Sequence, residues 1–302
     1  MKLKFENFKP NNRLLSHFGM ILYSVLIAGS FSFGAMAIPF IEPILLTSLR
    51  FIFASIIMAI IFMISTKQII SIPRRVWRYI ILGNLMGIYF VLMFVALEFT
   101  DPVSTGAVFT LSPFMAMFFG FIILNQKPSY FQIISLFIAG IGAIWVIFKG
   151  NISNLIAFNI GQGELLFFIG CACQSLYIPL VQKFNDGESI FISTLWTLIS
   201  ASICFFIYSL FVTDIKNILF LPPIVWFCLF YLTIFATAVS FYFLQFSSLY
   251  LPPGKTISYV YLTPVFILFI EGFLGHGWVN LSVLMGIIIT AFGLIFLIAT
   301  ND

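Results

Sequence analysis

Apolar runs of roughly twenty residues follow one another along this chain, separated by short clusters of charge, proline, glycine and asparagine. A helix needs about 20 mostly apolar residues to cross the hydrocarbon core of a bilayer. Breaking the chain at its charges and turn residues gives ten such segments: 16–38, 44–64, 77–97, 103–124, 130–148, 161–182, 190–212, 224–246, 255–275 and 281–299. Runs such as Val283–Ala299 are continuously apolar, whereas the strands of a membrane β-barrel alternate apolar and polar positions. The pattern predicts an all-α polytopic membrane protein with ten transmembrane helices. The links are too short to hold a soluble domain.

The pattern also repeats. Shifted by 151 residues, Pro102 falls on Pro253, Thr105 on Thr256, Leu111 on Leu262, Pro113 on Pro264, Phe118 on Phe269 and Gly142 on Gly293. Each copy has a proline entry, an apolar run kinked at a proline beside Ser or Thr, a short break and a glycine-bearing apolar run. Ile38-Pro39 and Ile178-Pro179 are a weaker echo. The chain therefore divides into a polar tail (1–15), a first five-helix repeat (16–148), a linker (149–160) and a second five-helix repeat (161–299). Five is odd, so the second repeat enters the membrane from the opposite side. Inverted repeats of this kind have a pseudo-two-fold axis in the membrane plane and a site at their interface that can face either side in turn.

Composition agrees with a membrane protein. The chain is 62% hydrophobic and 8% charged, against about 25% charged in soluble domains. Its net charge of +4 is no sign of nucleic-acid binding, because the cations sit at membrane edges. With the N-terminus inside, Lys2, Lys4, Lys9, Arg13, Lys67, Arg74, Arg75, Arg78, Lys127, Lys183 and Lys255 are cytoplasmic, and Arg50, Lys149 and Lys216 are not. This positive-inside bias predicts cytoplasmic N- and C-termini and a multi-pass place in the cell (inner) membrane. The first segment is too long for a signal-peptide core despite its Ala35-Met36-Ala37. Its Gly29, Ser30, Ser32 and Gly34, like Gly170 to Ser175 in the sixth, suit close helix packing. Cys171, Cys173, Cys204 and Cys228 lie in predicted spans and read as small buried residues. Asn151-Ile-Ser153 and Asn280-Leu-Ser282 match glycosylation sequons on the predicted outer face.

Ten helices in two halves, a proline closing the first helix, Ser48-Leu49-Arg50-Phe51, and Thr110-Leu111-Ser112-Pro113 echoed by Tyr261-Leu262-Thr263-Pro264 resemble the EamA-type transporters of the drug/metabolite transporter superfamily. The resemblance spans residues 16–299. It implies a carrier of small solutes, amino acids and nucleotide-type metabolites among them, often working by exchange or with a proton. Family members have a Gly-Glu pair near the turn between helices four and five. Here Asn125-Gln126-Lys127-Pro128 and Gly275-His276 occupy those turns, so the role of that glutamate does not carry over.

Candidate residues follow from polarity inside spans. Pro113 and Pro264 each free a backbone carbonyl, and such groups persist in a membrane only where protein or a water-filled cavity satisfies them. The kinks either line a solute path or are structural, filled by the Ser112 and Thr263 hydroxyls. Glu271, two turns beyond Pro264, is the carboxylate inside a span. It is a functional site, a partner of Arg50 at similar depth, or an interfacial group reaching water. Tyr259, Tyr261, Gln174 and Asn84, with Ser175, Tyr177, Gln245 and Trp196, add polar or aromatic surface that either lines the cavity or packs helices. His17 and His276 sit at helix ends, so neither a metal site nor a Ser-His catalytic set is expected. The chain carries no Walker-type loop. The expected function is alternating-access secondary transport of a small organic solute, as exporter or exchanger, in a lipid bilayer and without cofactor. An uptake carrier, a receptor and a scaffold subunit are the alternatives.

Overall fold

The computed structural model describes residues 10–67, 70, 72–148, 151–157, 160–213, 218, 220–275 and 281–299. Lys149, Lys216, His276 and Asn280 lie outside them. The described elements are helical: α1 (Pro10–Ala37), α2 (Pro43–Thr66), α3 (Trp77–Leu97), α4 (Pro102–Phe109), α5 (Ser112–Leu124), α6 (Tyr130–Ile147), α7 (Ile152–Ile156), α8 (Gln162–Phe184), α9 (Ile190–Val212), α10 (Pro223–Thr233), α11 (Ser240–Tyr250), α12 (Pro253–Ser258), α13 (Thr263–Phe273) and α14 (Leu281–Ala299). Among the described residues nine helices are long and apolar enough to cross a membrane, and Val283–Ala299 is a shorter apolar helix. These are the ten crossings, because α4–α5, α10–α11 and α12–α13 each form one broken pass.

Several boundaries move. The first helix is already helical at Pro10, so 10–15, polar enough to read as tail, extend it. Proline suits a first helical turn, where its missing N–H costs nothing. Ser247 Oγ donates to the Ser16 carbonyl at 3.0 Å and ties this end to α11. The eighth pass reaches Tyr250, because a π turn at Ile234–Val239 joins α10 to α11.

Large apolar groups cover the outside of the bundle as well as filling its core. On α14, Met285, Ile288, Phe292 and Ile295 are exposed, a stripe at helical spacing that suits lipid. A Cβ added to Gly293 would lie 2.5 Å from Ala139 N, and one added to Gly142 would lie 2.5 Å from Thr290 N. α6 and α14 thus touch backbone to backbone, with small residues permitting the approach.

That contact shows the inverted repeat residue by residue, since Gly142 and Gly293 are 151 apart and each faces the other's helix. The same shift relates other contacts. Gly19 of α1 faces Phe243 of α11, and Gly170 of α8 faces Leu92 of α3. Thr105 Oγ1 donates to the Asp101 and Pro102 carbonyls, and Thr256 Oγ1 to those of Leu251 and Pro252. At the central breaks Leu111 (φ −80°, ψ −18°) and Leu262 (φ −81°, ψ −19°) share one backbone conformation. Across the axis α1 packs on α10–α11 as α8 packs on α3, α2 meets α9, and α4–α5 meets α12–α13.

Candidate solute site

The pseudo-two-fold axis passes through a buried polar cluster. Gln174 Nε2 donates to Tyr23 Oη at 2.6 Å, and these two residues are themselves 151 apart. Phe90 and Phe241, another such pair, stack with ring centroids 6.0 Å apart. Arg50 packs on the second contact, with its guanidinium carbon 3.9 Å from the Phe90 ring centre. Arg50, Tyr23, Tyr89, Gln174 and Tyr177 are each 0% exposed. They come from α2, α1, α3 and α8, so both halves build the cluster.

The π turn reaches it from α10–α11. Widening a helix by one residue disturbs the carbonyl ladder, and π turns are frequent at functional sites. Here the Ala236 carbonyl accepts from Arg50 Nη2 at 2.9 Å, and Thr237 Oγ1 accepts from Arg50 Nε at 2.8 Å. Thr237 in turn donates to the Leu232 carbonyl at 2.7 Å. Ser30 Oγ lies 3.5 Å from Arg50 Nη1. Three polar atoms beside this network are buried without a hydrogen bond of good geometry, Tyr89 Oη, Tyr177 Oη and Gln174 Oε1, and the Gln174 side chain lies close to Tyr89. Buried polar atoms are ordinarily paired, and three at one axis are a feature of a site.

The broken passes frame the cluster. Ser112 Oγ and Thr263 Oγ1 make no hydrogen bond, so they do not fill the kinks. Hydroxyls from other helices bond carbonyls close to the breaks: Ser175 Oγ of α8 donates to the Ser112 carbonyl at 3.0 Å, and Ser24 Oγ of α1 to the Tyr259 carbonyl at 2.6 Å. Ser24 and Ser175 are again 151 apart. Pro113 and Pro264 are both buried at these breaks.

The remaining candidates are scattered. Tyr259 Oη meets His17 Nδ1 at the end of α1. Tyr261 packs with Leu136, Ala139, Ala143, Leu294 and Leu297 of α6 and α14, in a core cluster separate from Arg50. Asn84 Nδ2 donates to the Ile80 carbonyl and contacts Cys204 Sγ on α9. Gln245 bonds Thr194 and Ser193. Glu271 is half-buried and accepts from Ser32 Oγ at 2.6 Å. It does not pair with Arg50, whose nitrogens are turned to Thr237, Ala236 and Ser30. Ser30 and Ser32 are two apart on α1 and point in different directions, so the two charges approach that helix from different faces.

Sequence reasoning missed Arg50 as the centre, and Tyr23, Tyr89 and Thr237 altogether. A signal existed for some of them, since Ser24/Ser175 and Phe90/Phe241 obey the same shift of 151 as the prolines. Nothing in Ile234–Val239 announces a π turn.

Two rivets close α3 against α8. At one end Arg78 Nη2 pairs with Asp186 Oδ2 at 2.6 Å, Arg78 Nη1 donates to the Phe184 carbonyl at 2.6 Å, and Tyr79 Oη donates to Glu188. The Arg78 hydrogen bond holds the Asp186 carboxyl below its ordinary range. At the other end Thr100 Oγ1 donates to Glu164 Oε1 at 2.5 Å. On the Arg78 side of the molecule a cavity of about 230 Å³ opens between the α5–α6 turn and α12, lined by Gln126, Lys127, Gln132 and Lys255 among others.

A family model described as the EamA-like transporter family matches residues 14–148 and 161–299, the two repeats in turn. The chain is similar to the "Uncharacterized transporter YyaM" of Bacillus subtilis (strain 168), at 26% identity over 247 residues and 80% of each chain. A solved crystal structure matches with a TM-score of 0.73 at 15% identity, over 96% of this chain and 98% of its own. At that identity the likeness is one of fold.

Proposed function

The chain belongs to the EamA-like transporter family, and from that premise we propose that it is a secondary transporter of small organic metabolites working by alternating access about the axis through Tyr23, Gln174, Phe90 and Phe241. One observation carries this reading. Both halves contribute to a fully buried cluster in which Tyr89 Oη, Tyr177 Oη and Gln174 Oε1 lack hydrogen-bond partners of good geometry, and a solute at the repeat interface supplies them.

In this reading the rivets are gates. With the basic end cytoplasmic, Arg78–Asp186 and Tyr79–Glu188 close the inner side, and Thr100–Glu164 closes the outer side. Both are made in this conformation, which is therefore occluded. Opening one while the other holds rocks α3 against α8. The cavity lined by Lys127 and Lys255 is a vestibule on the inner side. Transport runs as export or exchange across the cell membrane, with both termini inside.

The test is flux of amino acids, nucleosides and organic acids by the purified chain in vesicles. Single cysteines at 70, 185 and 100 are probed alongside with a membrane-impermeant label. Solute counterflow is expected, with 70 and 185 labelled from one side and 100 from the other. Labelling of 70 and 185 from opposite sides would break the inverted repeat. Correct sidedness without flux of any solute would favour a receptor or scaffold.

A further inference from the structure

Among the described residues no carboxylate pairs with Arg50, a fully buried cation. A guanidinium presents five N–H donors. Here two neutral oxygens, Thr237 Oγ1 and the Ala236 carbonyl, take one each below 3.0 Å, and Ser30 Oγ lies at 3.5 Å. The ion pairs seen among the described residues at the α3–α8 end belong to Arg75, Arg78 and Asp186, far along the chain from Arg50. Burying a charge is costly unless it is paired as well as hydrogen-bonded, and a charged group inside a membrane is a functional candidate by default. The repeat adds a control. The residue 151 beyond Arg50 is Ala201, so the second half builds the matching helix with a methyl group, and the packing of this crossing does not require a cation.

Tyr89 and Tyr23 lie within electrostatic range of Arg50, and Tyr177 within range of Tyr23. The tyrosine hydroxyls can donate, whereas Gln174 Oε1 can only accept. We infer that the axial site takes a small organic monoanion, a carboxylate bearing at least one hydrogen-bond donor, with Arg50 as its countercharge. This rests on the transporter reading above. The carboxylate takes the free N–H groups of Arg50 and the hydroxyls of Tyr89 and Tyr177, and its donor group meets Gln174 Oε1. A single cation in an apolar shell neutralises a single charge. A phosphate monoester or a nucleotide would leave surplus charge unpaired there, so these are poor substrates.

The experiment is thermal melting of the detergent-purified protein with a panel of probes. The panel holds monocarboxylates with and without an α-hydroxyl or α-amino group, the carboxamide of each, and sugar phosphates and nucleotides. At least one donor-bearing carboxylate is expected to raise the melting temperature while its carboxamide does not. Arg50→Gln should weaken that carboxylate about 30-fold or more, and Arg50→Lys should recover part of the loss. Without solute, Arg50→Gln should melt at or above the wild-type temperature, because an unpaired buried charge has been removed. Tyr177→Phe, which deletes an unpartnered hydroxyl, should fold normally and still weaken the same probe severalfold.

Four results would overturn the inference: no shift from any carboxylate, equal shifts from acid and amide, preference for a phosphate ester, or a solute-free Arg50→Gln protein that melts lower and is restored by Lys. Flux of an uncharged solute unaffected by Arg50→Gln would also sink it while leaving the transporter reading intact. Carboxylate binding in detergent without flux of any solute would sink the transporter reading alone.

Discussion

Ser24 and Ser175, one repeat apart, each reach across to the other half. Each lends a hydroxyl from a helix of its own half to a backbone carbonyl at the break of the other half's kinked pass. In a bilayer no water replaces such a donor. Ser24→Ala and Ser175→Ala should each lower stability by about 0.6–1.7 kcal/mol, the range of hydrogen bonds between membrane helices, measured by detergent-induced unfolding. The sequence offers Ser175 only as polar surface and Ser24 not at all, whereas Ser beside Pro113 and Thr beside Pro264 look the better fillers. Which carbonyl near a break receives a hydroxyl depends on the neighbouring helix, and that is a tertiary fact. Glu271 is a further residue-scale case. Half-buried and bonded to Ser32, it is the carboxylate that the proposed transport cycle would use if it couples to protons. Glu271→Gln should flatten the pH profile of flux, and a profile left unchanged removes Glu271 from coupling.

Among elements, α6 and α14 form the closest pair. Gly142 and Gly293 are legible in the sequence as one repeated position, but their mutual facing is not. Adding a side chain there meets backbone atoms, which cannot swing aside. Gly142→Leu should therefore cost about 2 kcal/mol or more, as overpacking does. Gly106→Ala, whose new methyl would find Ile267 Cδ1 at 3.5 Å, should be tolerated. Comparing the unfolding midpoints of the two variants checks both. The prolines announced the breaks at Leu111 and Leu262, because proline removes a donor and clashes with the preceding turn. The π turn had no such marker. Its six residues, Ile234 to Val239, include neither proline nor glycine, and Arg50, on α2, bonds the carbonyl of Ala236 within it.

For the molecule as a whole the two ends of α3 respond to acid in opposite senses. Asp186 is held below the ordinary carboxylate range by Arg78. The stability it contributes is present above its unfolded pKa and lost as pH falls through the folded value. Glu98 at the opposite end is held above its ordinary value, by partial burial first and by Glu42 second. Its contribution is fully present at low pH and lost as pH rises through the folded value. Acid thus loosens the Arg78 end and relieves the Glu98 end. A cysteine at Leu82, beneath the Arg78 rivet, should react faster with a thiol reagent as pH is lowered into the carboxylate range, after correction for thiolate fraction. Asp186→Asn should raise the rate at neutral pH and remove the dependence. A rate indifferent to Asp186 would show that this end is held shut by packing instead.

The sequence by itself determined the solvent, the number of crossings and the inverted duplication. Each follows from local quantities: the length of apolar runs, the spacing of prolines and glycines, and an odd helix count per half. Tertiary structure decided which polar groups share the axis. Gln174 was legible as a polar residue in a span, yet so were Asn84, Gln245 and Tyr261, and those three bond or pack elsewhere. Arg50 and Glu271 looked like a pair by depth alone. Only the rotation of α1, α2 and α13 about their axes set them on different faces, because depth is written along a helix and azimuth is fixed by what packs against it.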